Sequence, residues 1–175
     1  KLLSFNAKNV QSIHYSYDPY WHRFPDKASE AEIRRFSCDI SFIGTGAKER
    51  LIYLTKLSSI KNIKMKIFGN NWEKIKIPHW EKCGEVLDND FRLAMYHSKL
   101  SICLLRKSSK DVSTQRTFEI APCGGCGIYE DTKEHREILD GYPEYGFFSN
   151  PNDLLEKCIW LLKSKKARED MRDKG

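Results

Sequence analysis

From Cys38 onward the chain alternates between short, nearly continuous apolar runs and longer stretches in which apolar residues recur every three or four positions. Runs of the first kind predict strands buried on both faces, and stretches of the second predict amphipathic helices. Residues 39–43 read as a strand ending in the turn Gly44-Thr45-Gly46, and Leu51, Leu54, Thr55 and Leu57 mark a helix after it. Residues 63–68 alternate like a strand and stop at Gly69-Asn70-Asn71-Trp72. Residues 73–81 are irregular, and 83–86 read as a short strand. Asp88 stands where it would cap a helix carrying Phe91, Leu93, Ala94 and Tyr96.

Residues 100–105 form a second apolar run, followed by a polar loop over 106–113 and a short helix over about 114–122 that ends at Gly124-Gly125. A strand over 126–129, a helix from a Thr132 cap to Leu139 and a short strand over 146–148 come next. A helix capped by Asn150 or Asn152 follows, with Leu154, Leu155, Cys158, Ile159, Leu161 and Leu162 as its predicted inner face. Residues 165–174 predict a charged terminal helix. No tight hairpin joins any two strands, so the units read as parallel βαβ with right-handed crossovers. The expected fold class is α/β: a Rossmann-like parallel sheet with helices on both faces.

The first 36 residues differ. Residues 15–22 are aromatic and turn-rich, Asp18-Pro19 breaks any helix, and 30–35 are polar and helix-prone. Residues 1–36 are therefore expected to be an interdomain linker or leader, and 37–175 the domain proper. The chain begins at Lys1 rather than Met, and a piece of a longer protein is expected.

Composition narrows the class. A chain of 175 residues suffices for one well-buried domain, and 40% hydrophobic with 12% aromatic residues excludes a disordered composition. No apolar run approaches the roughly 18 residues of a membrane span. The first residues lack the regions of a signal peptide, so a cytoplasmic location is expected. The formal net charge of +6 is spread along the chain. It suits a solvated Lys-rich surface, and equally a field that favours phosphate-bearing ligands or a peripheral membrane contact. No basic stripe with interleaved aromatics occurs, so nucleic acid is not an expected partner. Cys38, Cys83, Cys103, Cys123, Cys126 and Cys158 lie in apolar segments and read as reduced core thiols. Cys123-Gly-Gly-Cys126 matches the C-x-x-C of redox sites, a reading that requires a depressed thiol pKa.

In an open parallel sheet, ligands bind beyond the carboxyl ends of the strands, where helix N-termini offer unpaired N–H groups. Gly44, Thr45 and Gly46 would let a phosphate approach the backbone, although a plain tight turn explains them as well. The stretch from Arg106 to Gly125 is more specific: bases, hydroxyls and a helix N-terminus converge on one loop, which suits a diphosphate. Arg116 and Glu119 share a helix face. They read either as a surface salt bridge or as a carboxylate placed for both hydroxyls of a ribose.

Asp39-Ile-Ser-Phe-Ile-Gly-Thr-Gly46, Lys66-Ile-Phe-Gly69, Leu104-Leu-Arg106 and, above all, Thr114-Gln-Arg-Thr-Phe-Glu-Ile-Ala-Pro-Cys-Gly-Gly125 resemble the CgeB (spore-maturation-protein) type of group-one glycosyltransferase. Glu134-His-Arg-Glu137 and Asn150-Pro-Asn-Asp-Leu154 continue the likeness, which runs from about Asn9 to the end. The resemblance implies the C-terminal, nucleotide-sugar-binding domain of a GT-B fold, facing an N-terminal acceptor domain across a cleft. It implies a nucleotide diphosphate-sugar as donor, no separate cofactor and no metal, with the catalytic base supplied by the N-terminal domain. In the family's E-x7-E pattern the second Glu, here Glu119, holds the ribose. The first, which touches the transferred sugar, is replaced by Asp111. Arg106, Lys107 and Arg116 are the expected diphosphate ligands. Gly44, Thr45, Gly46, Asn70, Trp72, Asp111, Thr114, Glu119, Gly124 and Gly125 are the expected donor contacts, with Asn70 and Trp72 near the base. His79, His97 and His135 are expected to be surface or capping residues, and His14 and His22 flank the linker. The competing reading is a non-catalytic nucleotide or nucleotide-sugar binding module.

Overall fold

The computed structural model describes residues 13–175. Six strands form one sheet: β1 (Cys38–Ile43), β2 (Met65–Phe68), β3 (Trp80–Lys82), β4 (Ser98–Cys103), β5 (Gly127–Glu130) and β6 (Phe147–Phe148). Their order is β3-β2-β1-β4-β5-β6, and every neighbouring pair is parallel. β1 and β4 pair in register, Ile40 beside Leu100 and Phe42 beside Ile102, and almost every residue of both is buried. That is why apolar residues crowd both faces of these strands, with only the buried Ser41, Ser98 and Ser101 and the end residues Asp39 and Lys99 polar. The expectation of a Rossmann-like α/β fold is met.

The helices are α1 (Glu30–Phe36), α2 (Leu51–Leu57), α3 (Asp88–Tyr96), α4 (Gln115–Glu119), α5 (Lys133–Ile138), α6 (Pro151–Lys163) and α7 (Lys165–Lys174). α2 packs with α6, and α1 with α3. Local chemistry sets their starts. Ser29 and Glu32 form a capping box on α1, and the Thr132 hydroxyl accepts from the His135 N–H. Asn150, not Asn152, caps α6: its Oδ1 takes the N–H groups of Asn152 and Asp153 at 2.9 and 3.1 Å, with Pro151 in the first turn. No helix among the described residues is long and apolar enough to cross a membrane.

Four local expectations fail. The third strand is Trp80–Lys82, not 83–86, because only Trp80 of its three side chains is buried and the edge carries no apolar pattern. The Trp80 indole donates to the Leu54 carbonyl at 3.0 Å, a tertiary anchor that periodicity does not see. Asp88 does not cap α3: Leu87 is the N-cap and Asp88 is the first helical residue, at φ 50°, where an irregular segment turns into the helix. Ile159 is 38% exposed, one position off the buried stripe of Leu154, Cys158 and Leu161.

The fourth is His135, which is fully buried beneath the site rather than at the surface. Its ring bridges the Glu130 carbonyl, 2.6 Å from Nδ1, and the Thr117 hydroxyl, 2.9 Å from Nε2. Burial pulls its pKa down, against the Glu130 carbonyl and the nearby carboxylates of Glu134 and Asp131, which pull it up. The folded state therefore binds a proton less readily than the unfolded chain. Stability is full above about pH 6.5, the ordinary imidazole value, and falls as pH drops through it. We expect urea unfolding to show a loss between about pH 7 and 5.5 that His135→Gln flattens while lowering stability throughout. An unchanged slope would remove His135 as its source.

Candidate functional site

The sheet order reverses between β1 and β4, which makes their carboxyl ends the place where such folds open a crevice. Two contiguous clefts lie there, of about 340 and 290 Å³, sharing Ile43, Gly44, Thr45, Gln115 and Arg116. They form one furrow with two different ends.

The first end is walled by Trp21, Val86, Leu87 and Phe91, with Asn70 and Glu85 at its edge. The Asn70 amide donates to Glu85 at 2.8 Å. Glu119 sits in its floor, only 3% exposed. One carboxylate oxygen pairs with the Arg116 guanidinium, and the other faces His22 Nε2 at 3.0 Å. Arg116 also donates from Nε to the Ile43 carbonyl at 3.2 Å and lies 4.7 Å over the Phe91 ring. The pair at i and i+3 is thus an inward ion pair, not a surface salt bridge.

The second end collects positive charge. Arg50, Arg106 and Arg116 line it together with Asp111 and Thr114. Arg50 donates to the Thr45 carbonyl and rests 5.1 Å over Phe42, and its buried Nε has no partner among the described residues. Burial and then the charge of Arg106 push its pKa down from the ordinary guanidinium value. With Arg116 paired to Glu119, the three guanidiniums against Glu119 and Asp111 still leave an excess of positive charge that an anion would balance. Two carboxylates hold the surrounding loops: Glu49 accepts the Ser108 N–H at 3.1 Å, and Glu130 the Leu105 N–H at 2.7 Å. Burial raises the Glu130 pKa.

The furrow therefore gathers Gly44, Thr45, Asn70, Arg106, Asp111, Thr114, Arg116 and Glu119 of the residues expected from sequence. Five others lie elsewhere. Trp72 is 1% exposed, edge-on to Phe42, and its indole donates to the Gly44 carbonyl at 2.7 Å, so it supports the turn from behind. Gly46 is closed against the Asn71 backbone. Lys107 points to the Tyr53 hydroxyl at 3.2 Å, which raises its pKa. A Cβ on Gly124, which sits at φ 71°, would lie 2.8 Å from the Phe24 and Tyr96 rings, and Gly125 packs on Ile120. The furrow also takes in Arg50, Trp21 and Phe91, which the sequence did not mark as site residues, and His22, one of the two linker histidines. Arg50 follows the glycine turn by only a few residues, so a basic residue at the start of that helix was the available signal. Cys123 and Cys126 are fully buried, which pushes their thiols up to about 11 and about 12, the opposite of a redox pair.

Comparison with known proteins adds three findings. The profile of a family described as glycosyl transferase-like matches residues 50–175. Over 148 aligned positions, covering 78% of this chain and 31% of the other, the chain is 25% identical to a glucose-6-phosphate 1-dehydrogenase from Borreliella burgdorferi. Among solved structures, a mutant of T4 phage BGT in complex with UDP-glucose superimposes with a TM-score of 0.63 at 13% identity, over 86% of this chain and 44% of that one. AviGT4, a glycosyltransferase of avilamycin A biosynthesis, does so with a TM-score of 0.61 at 13% identity, over 91% and 49%. The chain spans about a third of the dehydrogenase and less than half of each glycosyltransferase.

Proposed function

The chain belongs to the glycosyl transferase-like family, and we propose that it is the donor-binding half of a GT-B enzyme of the CgeB-like kind. The single observation that supports this best is the furrow's polarity: apolar walls over a buried carboxylate at one end and three arginines at the other. A nucleoside diphosphate has the same order of parts. Its base would lie between Trp21 and Val86-Leu87, its ribose hydroxyls on Glu119, and its diphosphate over Gly44-Thr45 between Arg50, Arg106 and Arg116. Asp111 would then face the sugar. Arginines aimed where the departing diphosphate gathers charge stabilise it more in the transition state than in the ground state. The acceptor and its base would come from an N-terminal half, and the chain alone would bind donor without transferring it.

The likeness to a dehydrogenase raises a dinucleotide reading. The sequence after β1 is Gly44-Thr-Gly-Ala-Lys, without G-x-G-x-x-G, and β2 is followed by Gly69-Asn70 where such folds carry the ribose-binding acid. Ligand-observed NMR of the chain with UDP, GDP, ADP, CMP and NADP+ separates the two. We expect selective binding of one nucleoside diphosphate, lost in Glu119→Ala. Binding of NADP+ alone, or of nothing by the folded chain, would overturn the proposal.

A further inference from the structure

The segment ahead of α1 contributes a side chain to the furrow. Asp18 organises a tight turn: its Oδ1 accepts the Tyr20 N–H at 2.8 Å, and its carbonyl accepts those of Trp21 and His22 at 3.1 and 2.7 Å. The turn is docked on α3 by Arg92, 5% exposed, which reaches the Trp21 carbonyl and, at 2.9 Å, the Asp26 carboxylate. Within the turn the Asp18 N–H donates to His22 Nδ1 at 2.9 Å. That nitrogen is thereby an acceptor, so in the neutral ring the proton sits on Nε2, the nitrogen that lies 3.0 Å from Glu119 Oε1. The Phe91 ring is shared: His22 meets it edge-on at 6.1 Å between centroids, and Arg116 lies over it.

Glu119 is therefore held from two sides by Arg116 and His22, residues far apart in sequence and on different elements, one oxygen each. Without His22 the carboxylate is free to swing onto the Arg116 fork, whose geometry favours bidentate pairing. That would turn the acceptor oxygens away from a ribose and leave the arginine's charge in the furrow.

We propose that His22 is a positioning residue of the donor site, holding Glu119 with its free lone pairs toward the two hydroxyls of a ribose. The inference rests on the nucleoside diphosphate reading and deepens it: the site selects ribonucleotides, and a segment outside the sheet enforces the selection. The test uses the 175-residue chain, titrated calorimetrically with UDP, GDP and ADP and with the 2′,3′-dideoxy form of each. The wild type is expected to prefer the ribo form of the nucleotide it binds. His22→Ala is expected to weaken ribo binding about tenfold while leaving dideoxy binding within about twofold, since what is lost is the contact that orients the ribose-facing carboxylate. The unchanged dideoxy affinity reports an intact fold. His22→Gln, which keeps an N–H donor of similar reach, is expected to restore the preference. Equal weakening of both forms, or an undiminished preference in His22→Ala, would overturn the inference alone. No binding of any of these nucleotides by the wild type would overturn the donor reading, and this inference with it.

Discussion

Arg116→Ala is expected to weaken nucleoside diphosphate binding strongly and to cost the fold stability at the same time. Arg116 is the only arginine that lines both halves of the furrow among the described residues, and it is the ion-pair partner of Glu119. Hydrogen bonds to a charged group contribute about 1.5–3 kcal/mol each, so losing those to a diphosphate weakens binding on the order of 10–100-fold. The Glu119 side chain is 4% exposed, and stripping it of its guanidinium leaves a carboxylate buried in the cleft floor. Arg116 itself is 28% exposed, so the stability loss belongs at the low end for broken buried pairs, about 3 kcal/mol. Chemical unfolding and calorimetric titration separate the effects. Combining Arg116→Met with Glu119→Leu removes both charges and is expected to recover much of the stability and none of the binding. Wild-type affinity in Arg116→Ala would refute the assignment of this residue to the diphosphate.

Gly69→Ala is expected to damage the fold and the site together. Gly69 directly follows β2 at φ 132°, a backbone region closed to other residues, and a Cβ there would run into the Gly44 carbonyl. The Gly69 N–H donates to the Gly84 carbonyl at 2.7 Å, and the Gly44 N–H to that of Phe68 at 2.8 Å, so neither chain can move aside without breaking the ladder ends. Strained backbone costs on the order of 1–3 kcal/mol, and overpacking a similar amount, giving a loss of about 3 kcal/mol or more. Gly44 is also the floor that joins the two ends of the furrow. A melting temperature close to wild type in Gly69→Ala would show that the two turns are looser than their contacts imply. By contrast Gly141→Ala, with nothing near its Cβ, meets only the positive φ.

The sequence alone determined the strand–helix alternation, the parallel sheet and the region of the site, because these follow from local signals. Strands buried on both faces are rich in apolar residues, as at Ile40, Phe42 and Ile43 of β1 and Leu100, Ile102 and Cys103 of β4, and helix starts carry their own caps, as at Thr132 and Asn150. Glu119 and Arg116 were legible for the same reason: three residues apart on one helix, they share a face. What only the tertiary structure decided is which side chains from distant segments meet. β3 forms where Trp80 finds the Leu54 carbonyl, not where its own residues look strand-like. Trp72 stands behind Gly44, His135 is buried beneath α4, and Lys107 turns to Tyr53. Arg50 and His22 enter the furrow from segments whose sequence reads as an ordinary helix start and an aromatic turn. Side-chain period and capping act within a few residues, whereas a binding furrow is assembled from the ends of strands brought together by pairing, and no local pattern records that.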